Sequence, residues 1–345
     1  MSLILNSKGE RVEAASLLTD QELSQADFLS NAASHQYGYN IDVTTLTAIL
    51  KTVAEQKFYE IPFAEYVPVR VGEGTAWASN ITAFRSLVTG GDFEKGYIDQ
   101  GNGTRLATTD AAVDALTIPV KTWAKELTWS LPEIAEASRT GVWDIVSAKE
   151  KSRKKNWDLG IQKTVFLGSA DGALKGALNL ADVTVNTTLV TSAISDMNAN
   201  QINAFASKLL EAYQANNNYT AYPDYLMAPQ SDYNGMGSYV SQYMLRTRKE
   251  ILERAVSDIT GKPFRILPLA YAMATRSDGK LSYNRYVLGR YDEEVARFDI
   301  PVDYTVTVAN SIEGFTFRNV GYGQHSGVLS LRPAEMLYLD DQSGS

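Results

Sequence analysis

The chain has 345 residues, of which 44% are hydrophobic, 10% aromatic and 21% charged. This is enough apolar material for one large domain or two small ones, and it excludes a long disordered chain. The formal net charge of −8 leaves no overall basic footprint for wrapping nucleic acid, and the absence of cysteine removes disulfides, thiolate metal sites and cysteine nucleophiles.

In chain order, the opening MSLILNSKGE turns polar too soon for a signal peptide, and no run approaches the ~18 apolar residues that span a bilayer. Residues 1–60 read as an arm with helices. Thr19, Asp20, Gln21 and Glu22 have capping-box spacing, and Leu23, Ala26 and Leu29 follow at helical intervals. A polar stretch at 34–40 interrupts the pattern. Leu46, Ile49, Leu50 and Val53 then recur at i, i+3, i+4 and i+7, a second amphipathic helix whose stripe needs a partner surface.

Residues 61–130 read as long β-structure around a polar middle. A strand is predicted over 77–88, rich in β-branched and aromatic types. Its expected partner is 118–130, with Trp123, Leu127 and Trp129 on one alternating face. The Gly-, Asp- and Thr-rich stretch 90–110 between them makes sense as the tip of a projecting hairpin. Pro132 and Glu133 open a short helix that Thr140 and Gly141 break. Asp144 is placed to cap a long helix running to Leu167 and ending at Gly168. Within it, residues 149–155 carry five positive charges and one negative. Residues 181–198 read as a strand and linker.

From about 199 helices and strands alternate. Helices are expected over 202–213 and 231–255, the second with a soft spot at Gly235 and Gly237. Strands are expected at 225–228, 264–269, 285–291, 304–308, 315–318 and 328–331. The class is α+β with an unusually long hairpin.

The catalytic inventory is thin. His35 lies in a polar break and His325 in a turn before a strand, and both read as structural. No metalloprotease, nucleophile-elbow or zinc pattern is present. The glycines at 72–74 and 101–103 lack phosphate-loop spacing and read as turns. Asp292, Glu293, Glu294, Asp340 and Asp341 read as solvated charges rather than acid/base pairs or metal ligands. The basic run is first a solvated helix face, then a contact for an acidic neighbouring copy, then a DNA contact. No catalytic, cofactor or metal residue is expected.

Several short motifs now align with one family. They are Val67-Pro68-Val69-Arg70-Val71-Gly72, Ile118-Pro119-Val120-Lys121, Leu131-Pro132-Glu133-Ile134, Val165-Phe166-Leu167-Gly168, the glycine-bearing stretch 172–179, Tyr225-Leu226-Met227-Ala228-Pro229 and Arg332-Pro333. With the order of elements, they resemble the Hong Kong 97-type major capsid protein of tailed bacteriophages, a fold shared with encapsulin shells and the herpesvirus capsid floor. The likeness runs over about residues 61–340, and the arm is not matched by motif.

The resemblance implies an α+β Hong Kong 97-like capsid fold in five parts. These are an N-terminal arm (1–60), an extended loop with flanking strands (61–130), a peripheral domain with a long spine helix (131–194), an axial domain (195–310) and return strands with the C-terminus (311–345). It implies a non-enzymatic shell subunit forming pentamers and hexamers of an icosahedral head around double-stranded DNA. The expected partner is the chain itself, alongside portal, scaffolding or decoration proteins. Packaged DNA is touched only weakly and no membrane is involved. The location is the virion, with assembly in the host cytoplasm. Expected inter-subunit contacts are Leu46, Ile49, Leu50 and Val53 of the arm, Asp92, Glu94 and Asp99 of the hairpin tip, and Lys151, Lys154 and Lys155 of the basic run. From 91 to 115 the tip has five acids (Asp92, Glu94, Asp99, Asp110, Asp114) against Lys95 and Arg105. The rival readings are an encapsulin-like nanocompartment shell, another phage structural protein, and a carboxylate-dependent hydrolase.

Overall fold

The structure is a computed structural model that describes residues 3–5, 11–13, 57–72, 76–87, 112–139, 145–241, 244–312 and 314–341. Both expected arm helices, His35, the hairpin tip with Asp92, Glu94 and Asp99, and the Asp144 cap lie outside the described residues. The chain divides into two compact units, 1–55 and 56–345. In the first, β1 (Leu3–Leu5) pairs antiparallel with β2 (Arg11–Glu13), a small hairpin that the helical periodicity did not announce.

The second unit begins with an irregular strap, 57–67, and β3 (Val69–Val71). β4 (Asn80–Leu87) and β5 (Ala112–Pro119) form an antiparallel ribbon, followed by β6 (Lys121–Ser130), α1 (Leu131–Arg139) and α2 (Ile145–Leu167). Next come β7 (Thr184–Asn186), α3 (Ala199–Asn216), β8 (Tyr225–Pro229), α4 (Gln230–Met236), β9 (Tyr239–Ser241), β10 (Met244–Thr247) and α5 (Arg248–Thr260). The last strands are β11 (Arg265–Leu269), β12 (Asn284–Gly289), β13 (Arg297–Ile300), β14 (Val302–Val306), β15 (Asn310–Ile312), β16 (Thr316–His325), β17 (Val328–Leu329) and β18 (Met336–Asp341).

A five-stranded mixed sheet, ordered β11-β8-β12-β18-β7, divides the core. Its side chains alternate between two apolar clusters. Tyr225, Met227, Val287, Met336 and Tyr338 face the cluster built on Trp157, Ile161, Val165 and Phe166 of α2. Leu226, Ala228, Tyr286, Leu288, Leu337 and Leu339 face the cluster built on α3 and α5, including Ile202, Phe205, Leu209, Leu252 and Val256. A strand buried on both faces loses its polar alternation, which is why 225–229 reads as a continuous apolar run.

The second large sheet centres on β16. β6 pairs along all ten of its residues, from Thr316↔Ser130 to His325↔Lys121, while β14 and β15 pair along its other edge. α2 crosses this sheet closely. A Cβ at Gly321 would lie 2.7 Å from Arg153 Nε, and one at Gly323 would lie 2.5 Å from the Trp157 ring. Arg153 and Trp157 are one helical turn apart, and the two glycines are two strand positions apart, so helix and strand periods meet there. α2 stops as expected at Leu167, with Gly168 in the left-handed region at φ +72°.

Four expectations need correction. Residues 118–130 are not the hairpin partner; β5 is, and β6 belongs to the β16 sheet. Pro119 has no N–H for the ladder, and the Val120 N–H instead donates to Ser79 O at 2.9 Å, so the chain changes sheets there. Trp77 is not in a strand. It sits in a turn at φ +63°, its N–H donates to Gln324 Oε1 at 2.7 Å, and its ring lies 5.6 Å from Tyr322. The single helix over 231–255 is α4, a short β9–β10 ribbon and α5, because Thr247 and Glu250 form a capping box that starts a new helix. The strand expected at 328–331 is only β17, and after a turn at Pro333 a further strand, β18, follows.

Candidate inter-subunit surfaces

The β4–β5 ribbon has two unlike faces, set by its register. Ile81, Ile118, Ala83 and Leu116 share one face, on which Arg85 bonds Asp114 at 2.8 Å. The other carries Thr82 and Thr117, hydroxyl to hydroxyl at 3.0 Å, then Phe84, Ala115 and Val113. Phe84 is 70% exposed and Val113 64%. An exposed apolar strip of this kind marks a candidate contact surface. A second exposed group lies at the end of the β16 sheet. Phe315 and Leu131 are adjacent there, with the Leu131 N–H donating to Phe315 O at 3.0 Å, and both are exposed. Sequence periodicity missed both groups, because alternation marks a face without saying whether anything covers it.

The basic run is not one solvated face. Arg153 is buried; its guanidinium donates to Tyr304 Oη at 2.9 Å and Asn319 Oδ1 at 2.8 Å, and Asn319 passes a hydrogen bond on to Glu150. Lys149 pairs with Glu133, and that contact holds the Glu133 carboxyl below its usual pKa. Lys155 pairs with Glu60 on the strap. Lys151 and Lys154 are exposed.

The residues weighed for chemistry are spread apart. His325 is the last residue of β16, not part of a turn. Its ring lies 6.2 Å from Phe298 and 6.0 Å from Trp157, and burial lowers its pKa, with Lys121 adding to the effect. Glu293 pairs with Arg70 at 2.8 Å, Asp292 with Arg290 at 3.2 Å and Glu294 with Arg332 at 2.5 Å. Asp340 takes both arms of Arg285, at 2.6 and 2.8 Å. A cavity of about 580 Å³ beside β3 is lined by Arg70 and the 292–294 carboxylates, already engaged in these pairs, and by Arg297, which pairs with Asp299 at 3.3 Å. Among the described residues there is no cluster of three or more metal-ligating side chains, and no helix long and apolar enough to cross a membrane.

The family model described as major capsid protein matches residues 96–341. The chain belongs to the major capsid protein family. No curated protein matches its sequence. The capsid protein's fold is similar to that in the capsid of Myoviridae phage XM1, with TM-score 0.70 and 17% identity over 88% of this chain and 99% of that one. It is also similar to the capsid of a native GTA particle, with TM-score 0.54 and 13% identity over 90% and 98%. Mycobacterium phage Che8 gives TM-score 0.53 and 9% identity over 86% and 96%. The expected tailed-phage major capsid protein is thereby supported, with a mixed helix-and-sheet fold. As a capsid component the capsid protein is part of the virion.

Proposed function

We propose that the chain is the repeating subunit of an icosahedral phage head, forming pentamers and hexamers that enclose double-stranded DNA. The observation that carries this reading is the exposed apolar strip of Phe84, Ala115 and Val113 on a two-stranded ribbon, which one body does not cover. A heterologous contact of this kind, repeated around a closed symmetry, generates rings and then a shell. In this reading the ribbon is the extended loop, α2 is the spine of the peripheral domain, 195–310 is the axial domain and 311–345 returns to the peripheral domain. The arm stripe of Leu46, Ile49, Leu50 and Val53 packs on a neighbour. Portal, scaffolding or decoration proteins join the assembly in the host cytoplasm, where a cysteine-free chain needs no oxidant. DNA meets the inner surface through weak, salt-sensitive contacts.

Sedimentation and electron microscopy of the purified protein test this directly. Closed particles of uniform size that protect DNA from nuclease are expected. A stable 37.9 kDa monomer that never assembles would overturn the reading. Closed particles carrying a protein cargo and no DNA would instead indicate a nanocompartment shell.

A further inference from the structure

The strap at 57–67 joins residues 1–55 to the core, yet among its residues the only regular structure is one 3-10 turn, Phe63–Glu65. Its first half, 57–62, is held largely by polar side-chain contacts, among them the Lys155–Glu60 pair. Gln162 on α2, 3% exposed, serves two strap backbone groups at once. Its Oε1 accepts the Ile61 N–H at 3.0 Å and its Nε2 donates to Tyr59 O at 3.0 Å. A buried amide thus replaces the neighbouring strand that the strap lacks. Tyr291 Oη donates to Ala64 O at 2.6 Å, Tyr66 Oη donates to Pro268 O at 2.7 Å, and Tyr59 Oη accepts the Ala270 N–H at 3.1 Å. The apolar anchors are the fully buried Val67, Tyr66, edge-on to Phe166 at 5.5 Å, and the partly buried Ile61 and Phe63.

Residues 57–62, fastened mainly by a few side-chain bonds and outside any ladder, belong to the low-stability end of the structure and open on their own, while Tyr66 and Val67 stay in the core. We infer that residues 57–62 are a releasable latch with Gln162 as its bolt, and that opening it lengthens the tether of the N-terminal arm. Six residues released from the core extend by at most roughly 20–22 Å. A subunit that occupies non-identical places in a shell uses such slack to reach a neighbour at different distances. This role rests on the proposed reading of the arm; the latch itself does not.

The test is hydrogen exchange on the full-length protein, wild type against Gln162→Met, in the same assembly state. The Ile61 and Ala270 amides should lose protection at least tenfold, while Met227 and Val287 in the central sheet stay unchanged. Tyr59→Phe, at an exposed ring, is the milder variant and should lower protection of the Ala270 amide alone. Unchanged protection at Ile61, or a uniform fall that includes the central sheet, overturns the latch. If the latch opens as expected and the Gln162→Met particles remain as uniform in size as wild type, the tether role is overturned. A wild-type protein that forms no shells defeats the proposed function, and the exchange result still decides the latch.

Discussion

At the scale of single residues, two glycines separate space from propensity. Gly160 lies in the interior of α2 with nothing within 4 Å of where a Cβ would stand. Gly160→Ala should therefore stabilise the fold by ~0.5–1 kcal/mol, the ordinary cost of glycine in a helix. Gly323→Ala places a methyl 2.5 Å from the Trp157 ring and should destabilise by ~1–3 kcal/mol, the usual cost of overpacking. Denaturant midpoints of the two variants check both signs. His325 supplies a pH dependence. Burial lowers its pKa below the ordinary 6.5, so the fold favours the neutral ring. Its contribution to stability is complete above the unfolded value and is lost as pH falls through the lower, folded value. Melting temperature should fall below pH ~6.5, and His325→Gln should flatten that part of the profile. An unaltered slope would show that other groups carry the acid sensitivity.

At the scale of elements, the ribbon and α2 carry the assembly predictions. Phe84 and Val113 are exposed, so Phe84→Ser with Val113→Ser should change the melt by no more than ~0.5 kcal/mol. Particle yield, measured by sedimentation, should fall sharply. A large loss of stability instead would assign the strip to the subunit's own packing. The charge contact proposed between the ribbon tip and the basic run is narrower than the sequence suggested. Lys149 and Lys155 have partners within the subunit and Arg153 is buried, which leaves Lys151 and Lys154 for a neighbour. Exposed pairs contribute only ~0.2–1 kcal/mol each and are screened by salt, but a shell repeats them at every subunit. Reversing Asp92, Glu94 and Asp99 should impair assembly, and adding reversal of Lys151 and Lys154 should restore it. A lysine variant that assembles normally but fails to retain DNA would place that face toward the lumen.

At the scale of the whole molecule, the division at residue 55 predicts that the arm serves assembly more than folding. The second unit contains both apolar clusters and the large sheets. Deleting residues 1–55 should leave its melting temperature nearly intact and abolish closed particles. A truncated chain that fails to fold would place the stripe of Leu46, Ile49, Leu50 and Val53 in its own core, where each fully buried side chain contributes ~1.5–3 kcal/mol.

The local periods of the sequence determined the C-terminal end of α2, the buried run of β8, the body of α3 and the odd-numbered face of β6. Each is decided by neighbours within a few turns or residues, and the short motifs along the same stretch carried the family. Only the tertiary structure decided that β6 pairs with β16 rather than β4, since an alternating strand looks the same whichever partner it takes and these partners lie some two hundred residues apart. The burial of Arg153 was equally hidden. Its sequence neighbours are lysines on a charged helix, while its hydrogen-bond partners, Tyr304 and Asn319, come from distant strands. The space that Gly321 and Gly323 leave for Arg153 and Trp157 exists only once helix and strand have met, because close approach is a property of the pair and not of either segment.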